Sequence, residues 1–207
     1  MGTFHVLQDL SISDEGPVTG SELAHLRQGD MGGACGPYCL MMCLQSIGAI
    51  DREEATSSRS PDGRTPIGKM WANFRNFPAF FSEGTSLEHL KELLAVFKRH
   101  IDVESMAGSG LNTRKFVHQH LMDNHPVILG INSEDFCHWI VVVGWEDTDG
   151  DGVPERFLIL APGNEASRVA CWNAVIDLGS THGRYPYLYW AERDRSYVAL
   201  DGALAIW

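Results

Sequence analysis

One cysteine stands where nucleophilic chemistry is favoured. The stretch QGDMGGACGPYCLMMCLQSIG, residues 28–48, places Cys35 between a glycine cluster and an apolar run with helical spacing. Pro37 suits the first turn of a helix, so the sequence predicts that a helix begins close to Cys35. The unpaired amides of a helix N-terminus favour a thiolate, which is the nucleophilic form of cysteine. Cys35 is therefore a candidate nucleophile, and a small buried cysteine without chemistry is the alternative interpretation.

The neighbours of Cys35 fit a reaction at a carbonyl group. Gly32 and Gly33 leave room for the backbone of a substrate, and the backbone amide of Cys35 can donate to an oxyanion. Cys39 and Cys43 recur at helical spacing behind Cys35. We expect these two cysteines to pack in the core and to hold the helix in place.

A histidine far along the chain could serve as the base. His138 opens FCHWIVVVGWE, residues 136–146, an apolar stretch that is typical of a buried strand. A base that takes a thiol proton and later returns it to a leaving group needs a fixed orientation, which a strand provides. The sequence therefore predicts that folding brings His138 to Cys35.

The order of these residues resembles the papain-like cysteine peptidase superfamily, most closely its bacteriocin-leader-processing and related bacterial members. The resemblance covers roughly residues 28–163 and includes Gln28, Cys35-Gly36-Pro37 and the strand that begins at His138. It implies a papain-like fold with the cysteine at the start of the central helix. It also implies that Cys35 attacks, that His138 is the base and that Gln28 donates to the oxyanion.

The chain departs from the pattern of that superfamily at two places. Gln28 lies one position farther from Cys35 than in most members. Related peptidases have Asp-Pro or Asn after the strand that follows the histidine, whereas this chain has Ala161-Pro162 within FLILAPGN. An Asn can orient a histidine without ionising, so Asn164 is the predicted third member of a triad. A Cys–His dyad and a degenerate site remain open.

An acidic hairpin follows the histidine strand. In EDTDGDGVPERF the spacing D-x-D-x-D-G-x-x-E is similar to that of calcium-binding hairpins. The predicted ligands of a structural Ca²⁺ are the carboxylates of Asp147, Asp149, Asp151 and Glu155 and the carbonyl of Val153. A solvated turn is the alternative, because Asp and Gly are common in hairpins. We expect no organic cofactor.

The elements that position these residues follow a simple order. Periodicity predicts helices mainly in the first half and strands in the second, which indicates an α+β fold. We expect one domain over residues 1–207, with an N-terminal arm at 1–27, a mainly helical lobe at 28–125 and a mostly antiparallel β lobe at 126–207. Ser86 and Asn112 are the predicted N-caps of two further helices.

Charge and composition narrow the classes of partner and compartment. The formal net charge is −11 and basic residues do not cluster, so we expect neither a nucleic-acid nor a membrane partner. No apolar run approaches the roughly 18 residues of a membrane span. The five cysteines form no CxxC pair, which favours reduced thiols. A cytoplasmic location, or export without a Sec signal peptide, is the simplest interpretation.

These observations together predict a thiol hydrolase that acts on peptide or protein substrates. The same acyl-enzyme chemistry would also serve a deamidase, a transglutaminase-like enzyme or a cell-wall amidase effector, and the sequence does not separate these activities. A catalytically degenerate binding module is the third possibility, since the Asp of the family is missing.

Overall fold

The computed structural model describes residues 2–29, 32–56, 61–76, 82–179, 183–192 and 194–207. The helices are α1 (Cys35–Ser46), α2 (Arg52–Thr56), α3 (Pro66–Asn76), α4 (Leu87–Leu94) and α5 (Leu111–Met122), with a 3₁₀ turn at Ala95–Phe97. The strands are β1 (Thr3–Val6), β2 (Leu10–Ser13), β3 (Gly16–Thr19), β4 (Glu22–Leu23), β5 (Val103–Ser109), β6 (Val127–Asn132), β7 (Cys137–Asp147), β8 (Arg156–Leu160), β9 (Ala174–Asp177), β10 (Tyr187–Ala191) and β11 (Asp194–Ile206). The predicted α+β class is confirmed.

The strands of the second half form one antiparallel barrel. In the order β7-β6-β11-β10-β9-β8 each strand pairs with the next, and β8 pairs again with β7, so six strands close into a ring. The sequence predicts an antiparallel sheet here, and the structure adds its closure. Closure leaves none of these six strands with an unpaired edge, and β6, β7 and β8 are buried along most of their length.

Residues 2–27, which lie in the predicted N-terminal arm, contain four strands. β1 pairs with the second half of β7, in the register Thr3↔Asp147 to Val6↔Gly144, and β2, β3 and β4 form a separate three-stranded sheet. β5, which lies in the segment predicted to be mainly helical, pairs with β11. β1 and β5 are therefore held by strands far along the chain, whereas β2, β3 and β4 pair with their neighbours in sequence.

Helix α1 runs through the core and packs against β6 and β7. Its residues Cys39, Leu40, Met42 and Cys43 have no solvent exposure, so the helix is buried on all sides rather than along one stripe. The prediction that Cys39 and Cys43 are core residues is confirmed. Burial raises the pKa of both thiols well above the usual range, which makes them unreactive.

The two predicted helix caps have different outcomes. Ser86 caps α4 as expected, because its hydroxyl accepts a hydrogen bond from the His89 amide and His89 reciprocates. The prediction that Asn112 is an N-cap is wrong: α5 begins at Leu111 and Gly110 is the capping residue. Gly110 has φ 86°, which lets the chain turn sharply from β5 into the helix.

The helices of the described segments are short relative to a bilayer. None of them combines the length and apolar character that crossing a membrane requires.

Gly33 is packed against the chain that precedes α4. A Cβ atom on Gly33 would lie 2.6 Å from the Ser82 carbonyl carbon and 2.7 Å from the Gly84 nitrogen, whereas a Cβ on Gly32 would meet nothing within 4 Å. The missing side chain of Gly33 therefore makes room for the protein's own backbone, while Gly33 and Gly32 both line the cleft that contains Cys35. This contact holds the 82–84 segment against the start of α1.

We predict that Gly33→Ala destabilises the fold by about 1–3 kcal/mol, because a methyl group there overlaps backbone atoms that cannot rotate away. The neighbouring Gly32→Ala is the matched control and should leave stability unchanged or raise it by up to about 1 kcal/mol. Urea unfolding monitored by circular dichroism measures both. Equal stability of the two variants would show that the 82–84 segment does not pack on Gly33.

Candidate active site

Cys35 and His138 line the same cleft, whose volume is about 810 Å³. Cys35 is the first residue of α1 and His138 is the second residue of β7. The backbone N–H of Trp139 donates a hydrogen bond to Cys35 Sγ at 3.4 Å. Folding therefore brings the start of the buried helix against the start of the histidine strand.

Trp139 connects two walls of this cleft. Its backbone contacts Cys35, while its indole Nε1 donates to the Thr85 carbonyl at 2.7 Å. Thr85 precedes α4, and Trp139 pairs with Gly130 of β6 in the barrel. A Cβ atom on Gly130 would lie 2.2 Å from the Asp201 carbonyl oxygen and 3.0 Å from the indole ring, so a glycine there makes room for both. Trp139 therefore links the barrel, of which it is part, to the start of α1 and to the cleft wall at Thr85.

The electrostatics of Cys35 differ from the expectation for a helix start. Burial raises the pKa of the thiol above its ordinary value of 9.0, and the backbone amides of Trp139 and Gly36 offset this only in part. The nearby Cys137 thiol raises the pKa further. The helix-start argument predicts the opposite direction because it leaves out the cost of burying a charge. In the free protein Cys35 is therefore a protonated thiol at neutral pH.

His138 is neutral under the same conditions. Burial lowers the pKa of its imidazole from 6.5 to about 4. The ring is therefore uncharged at neutral pH and can accept a proton. Cys35 and His138 are therefore both neutral at neutral pH, and we refer to them below as the neutral pair.

Asn164 lines a pocket that His138 also lines. This second pocket, of about 460 Å³, is also lined by Gly163, and a Cβ atom on Gly163 would lie 3.7 Å from His138 Nε2. No described residue forms a hydrogen bond with the His138 ring. The role of Asn164 as the third member of a triad therefore stays a prediction.

Gln28 is anchored near the same loop. Its backbone N–H donates to the Pro162 carbonyl at 2.9 Å. Its side-chain Oε1 is buried and receives no hydrogen bond from the described part of the chain. Gln28 does not belong to the described residues that line the 810 Å³ cleft. Its predicted role as oxyanion donor remains untested.

Two polar residues near the site were missed by sequence reasoning. Asn173 and the buried His25 both contact Ala161, at the start of the loop that faces His138. Asn173 stands in the apolar run RVACWNAVIDL, where a single amide among core residues is the signal that could have been noticed. His25 lies in the segment interpreted as an arm, and its pattern carries no such signal.

The acidic hairpin is closed by its own carboxylates. Asp147 accepts hydrogen bonds from the backbone amides of Gly150 at 2.5 Å and Gly152 at 3.0 Å. Although burial opposes it, these amides hold the pKa of the Asp147 carboxyl below its ordinary value. These contacts stabilise the turn whether or not a cation is bound.

The remaining predicted calcium ligands also bond within the hairpin. Asp151 accepts from the Val153 amide at 2.9 Å, and Glu155 accepts from the Thr148 amide. Asp149 is exposed. Across the described segments, no three His, Cys, Asp or Glu side chains converge as a metal site requires. The Ca²⁺ site therefore stays a prediction from the sequence pattern.

We predict that alkylation of Cys35 by iodoacetamide accelerates as the pH rises from 6 to 10, because the raised pKa leaves little thiolate at lower pH. Peptide mapping by mass spectrometry separates Cys35 from the exposed Cys137, which serves as the internal reference. A rate for Cys35 that is already constant at acidic pH would show a preformed thiolate and contradict the neutral pair.

Neither a protein-family model nor a curated protein sequence matches this chain. The assignment of roles to Cys35 and His138 therefore depends on their placement in one cleft and on the sequence resemblance described above.

Proposed function

We propose that this chain is a papain-like cysteine hydrolase that cleaves peptide or amide bonds through an acyl-enzyme on Cys35. The observation that supports it most is the contact of Cys35 Sγ with the Trp139 amide, one residue from His138, in a cleft large enough for a peptide segment. A cysteine at a buried helix start and a histidine on an antiparallel strand are also what a papain-like fold requires.

In the proposed first step a substrate carbonyl carbon lies against Cys35 Sγ. His138 takes the thiol proton while the sulfur forms a bond to that carbon and the carbonyl oxygen becomes an oxyanion. The Cys35 amide is the nearest donor for the oxyanion, and the side-chain amide of Gln28 is the second donor that the resemblance implies.

The remaining steps return the site to its starting state. The tetrahedral intermediate breaks its carbon–nitrogen bond, and the protonated His138 donates its proton to the leaving amine. A water molecule then attacks the thioester, with His138 as base, and releases the carboxylic acid and the Cys35 thiol. An amine in place of water would give a transglutaminase-like product from the same intermediate.

The pH range of this mechanism follows from His138. The ring must be neutral to accept the thiol proton, and its pKa is about 4. Turnover should therefore be lost as the pH falls through about 4 and should be retained at neutral pH. Because the thiol pKa is raised, ionisation of Cys35 does not limit turnover below alkaline pH.

A binding module without catalysis is the second candidate. It is favoured by Ala161 at the position where related peptidases have Asp, together with the lack of a hydrogen bond to the His138 ring from any described residue. Such a module would hold a peptide in the cleft without cleaving it.

The test is incubation of the protein with a peptide library, followed by mass spectrometry of the products. We expect cleavage or deamidation that Cys35→Ala and His138→Ala reduce by about 10³-fold or more, as for other nucleophile–base pairs. Cys171→Ser, a thiol that does not line the cleft, is the matched control and should retain activity.

The outcomes separate the two candidates. Undiminished turnover by Cys35→Ala would overturn the proposed mechanism. Peptides that are retained by the wild-type protein but are never changed in mass would favour the binding module.

A further inference from the structure

We propose that Asn173 is a positioning residue for the reaction, acting through the loop Ala161–Glu165 that lies against His138. The expected effect on catalysis rests on the proposed function. The expected effect on the position of the loop does not. Neither the resemblance nor the motif spacing assigns a role to Asn173.

The side-chain amide of Asn173 holds both ends of that loop. Its Oδ1 accepts a hydrogen bond from the Ala161 amide at 2.7 Å. Its Nδ2 donates to the Ala161 carbonyl and to the Glu165 carbonyl, each at 3.0 Å. One side chain therefore closes a five-residue loop at its first and last residues.

The middle of the loop contacts two candidate catalytic residues. Gly163 faces the His138 ring, since a Cβ atom there would lie 3.7 Å from Nε2 and 3.8 Å from Cε1. The Pro162 carbonyl accepts the backbone N–H of Gln28. A shift of the loop would therefore expose His138 to water and displace the segment that carries Gln28.

A second buried group supports the start of the loop. His25 Nε2 lies 2.9 Å from the Ala161 carbonyl oxygen and 3.1 Å from Asn173 Nδ2. Burial lowers the pKa of His25, so the ring is neutral at neutral pH, and the tautomer with hydrogen on Nε2 donates to Ala161. The Arg27–Glu165 ion pair at the other end is more than half exposed and contributes little.

Only an amide satisfies this arrangement. The loop requires one acceptor, for the Ala161 amide, and two donors, for the carbonyls of Ala161 and Glu165. A carboxylate would keep the acceptor but would place negative charge against two carbonyl oxygens. Asn173→Asp therefore changes the hydrogen bonding with almost no change in volume.

The experiment compares Asn173→Asp and Asn173→Ala with Asn112→Asp, the same chemical change at an exposed site on α5. We expect kcat to fall on the order of 10²-fold in both Asn173 variants, as for a misplaced catalytic group, with KM changed less than about threefold. The control should match the wild type. Thermal melts establish that each variant is folded, and Asn173→Ser replaces any variant that is not.

A second measurement does not depend on activity. Nuclear magnetic resonance of the imidazole signals gives the pKa of His138, and we expect it to rise from about 4 towards 6.5 in the Asn173 variants as water reaches the ring. Unchanged kcat together with an unchanged His138 titration would overturn the inference. If the wild type proves inactive, the titration alone decides the role of the loop, and the proposed function fails separately.

Discussion

The contact between the start of α1 and the start of β7 is the constraint on which the rest of the site depends. Helix α1 is buried on all sides and packs along β6 and β7, so its first residue has little freedom. The Trp139 amide meets Cys35 Sγ at that point, and the Trp139 indole holds the wall that begins at Thr85. Reactive groups from distant parts of the chain are therefore positioned by core packing rather than by mobile loops.

The same burial determines the charge state of the site. It raises the pKa of Cys35 and lowers that of His138, so each group is held in its neutral form. A helix N-terminus favours a thiolate, but here desolvation outweighs that effect. In the proposed mechanism the proton therefore moves from Cys35 to His138 only when a substrate is attacked. Water that reached the His138 ring would reduce the shift of its pKa, and the loop held by Asn173 lies against that ring.

Local patterns predicted the parts of the structure that depend on nearby residues. The helix at Cys35, the strand at His138 and the Ser86 cap follow from spacing and side-chain chemistry over a few positions. The pairing of β1 with β7, the closure of the barrel and the contacts of Asn173 depend on residues far apart in the chain. The packing of Gly33 could not be predicted from the sequence either, because only the fold shows that the 82–84 backbone lies where its side chain would be.

The most direct test of the account is covalent labelling with a peptidyl epoxide at pH 6. Attack on the epoxide requires the cysteine sulfur and a proton donor for the opening ring. The rate of labelling therefore depends on both Cys35 and His138. The account predicts one adduct, on Cys35, formed at least tenfold more slowly by His138→Gln, since acid–base catalysis contributes about 10²-fold or more. An adduct on Cys137 instead, or equal rates for the two proteins, would contradict it.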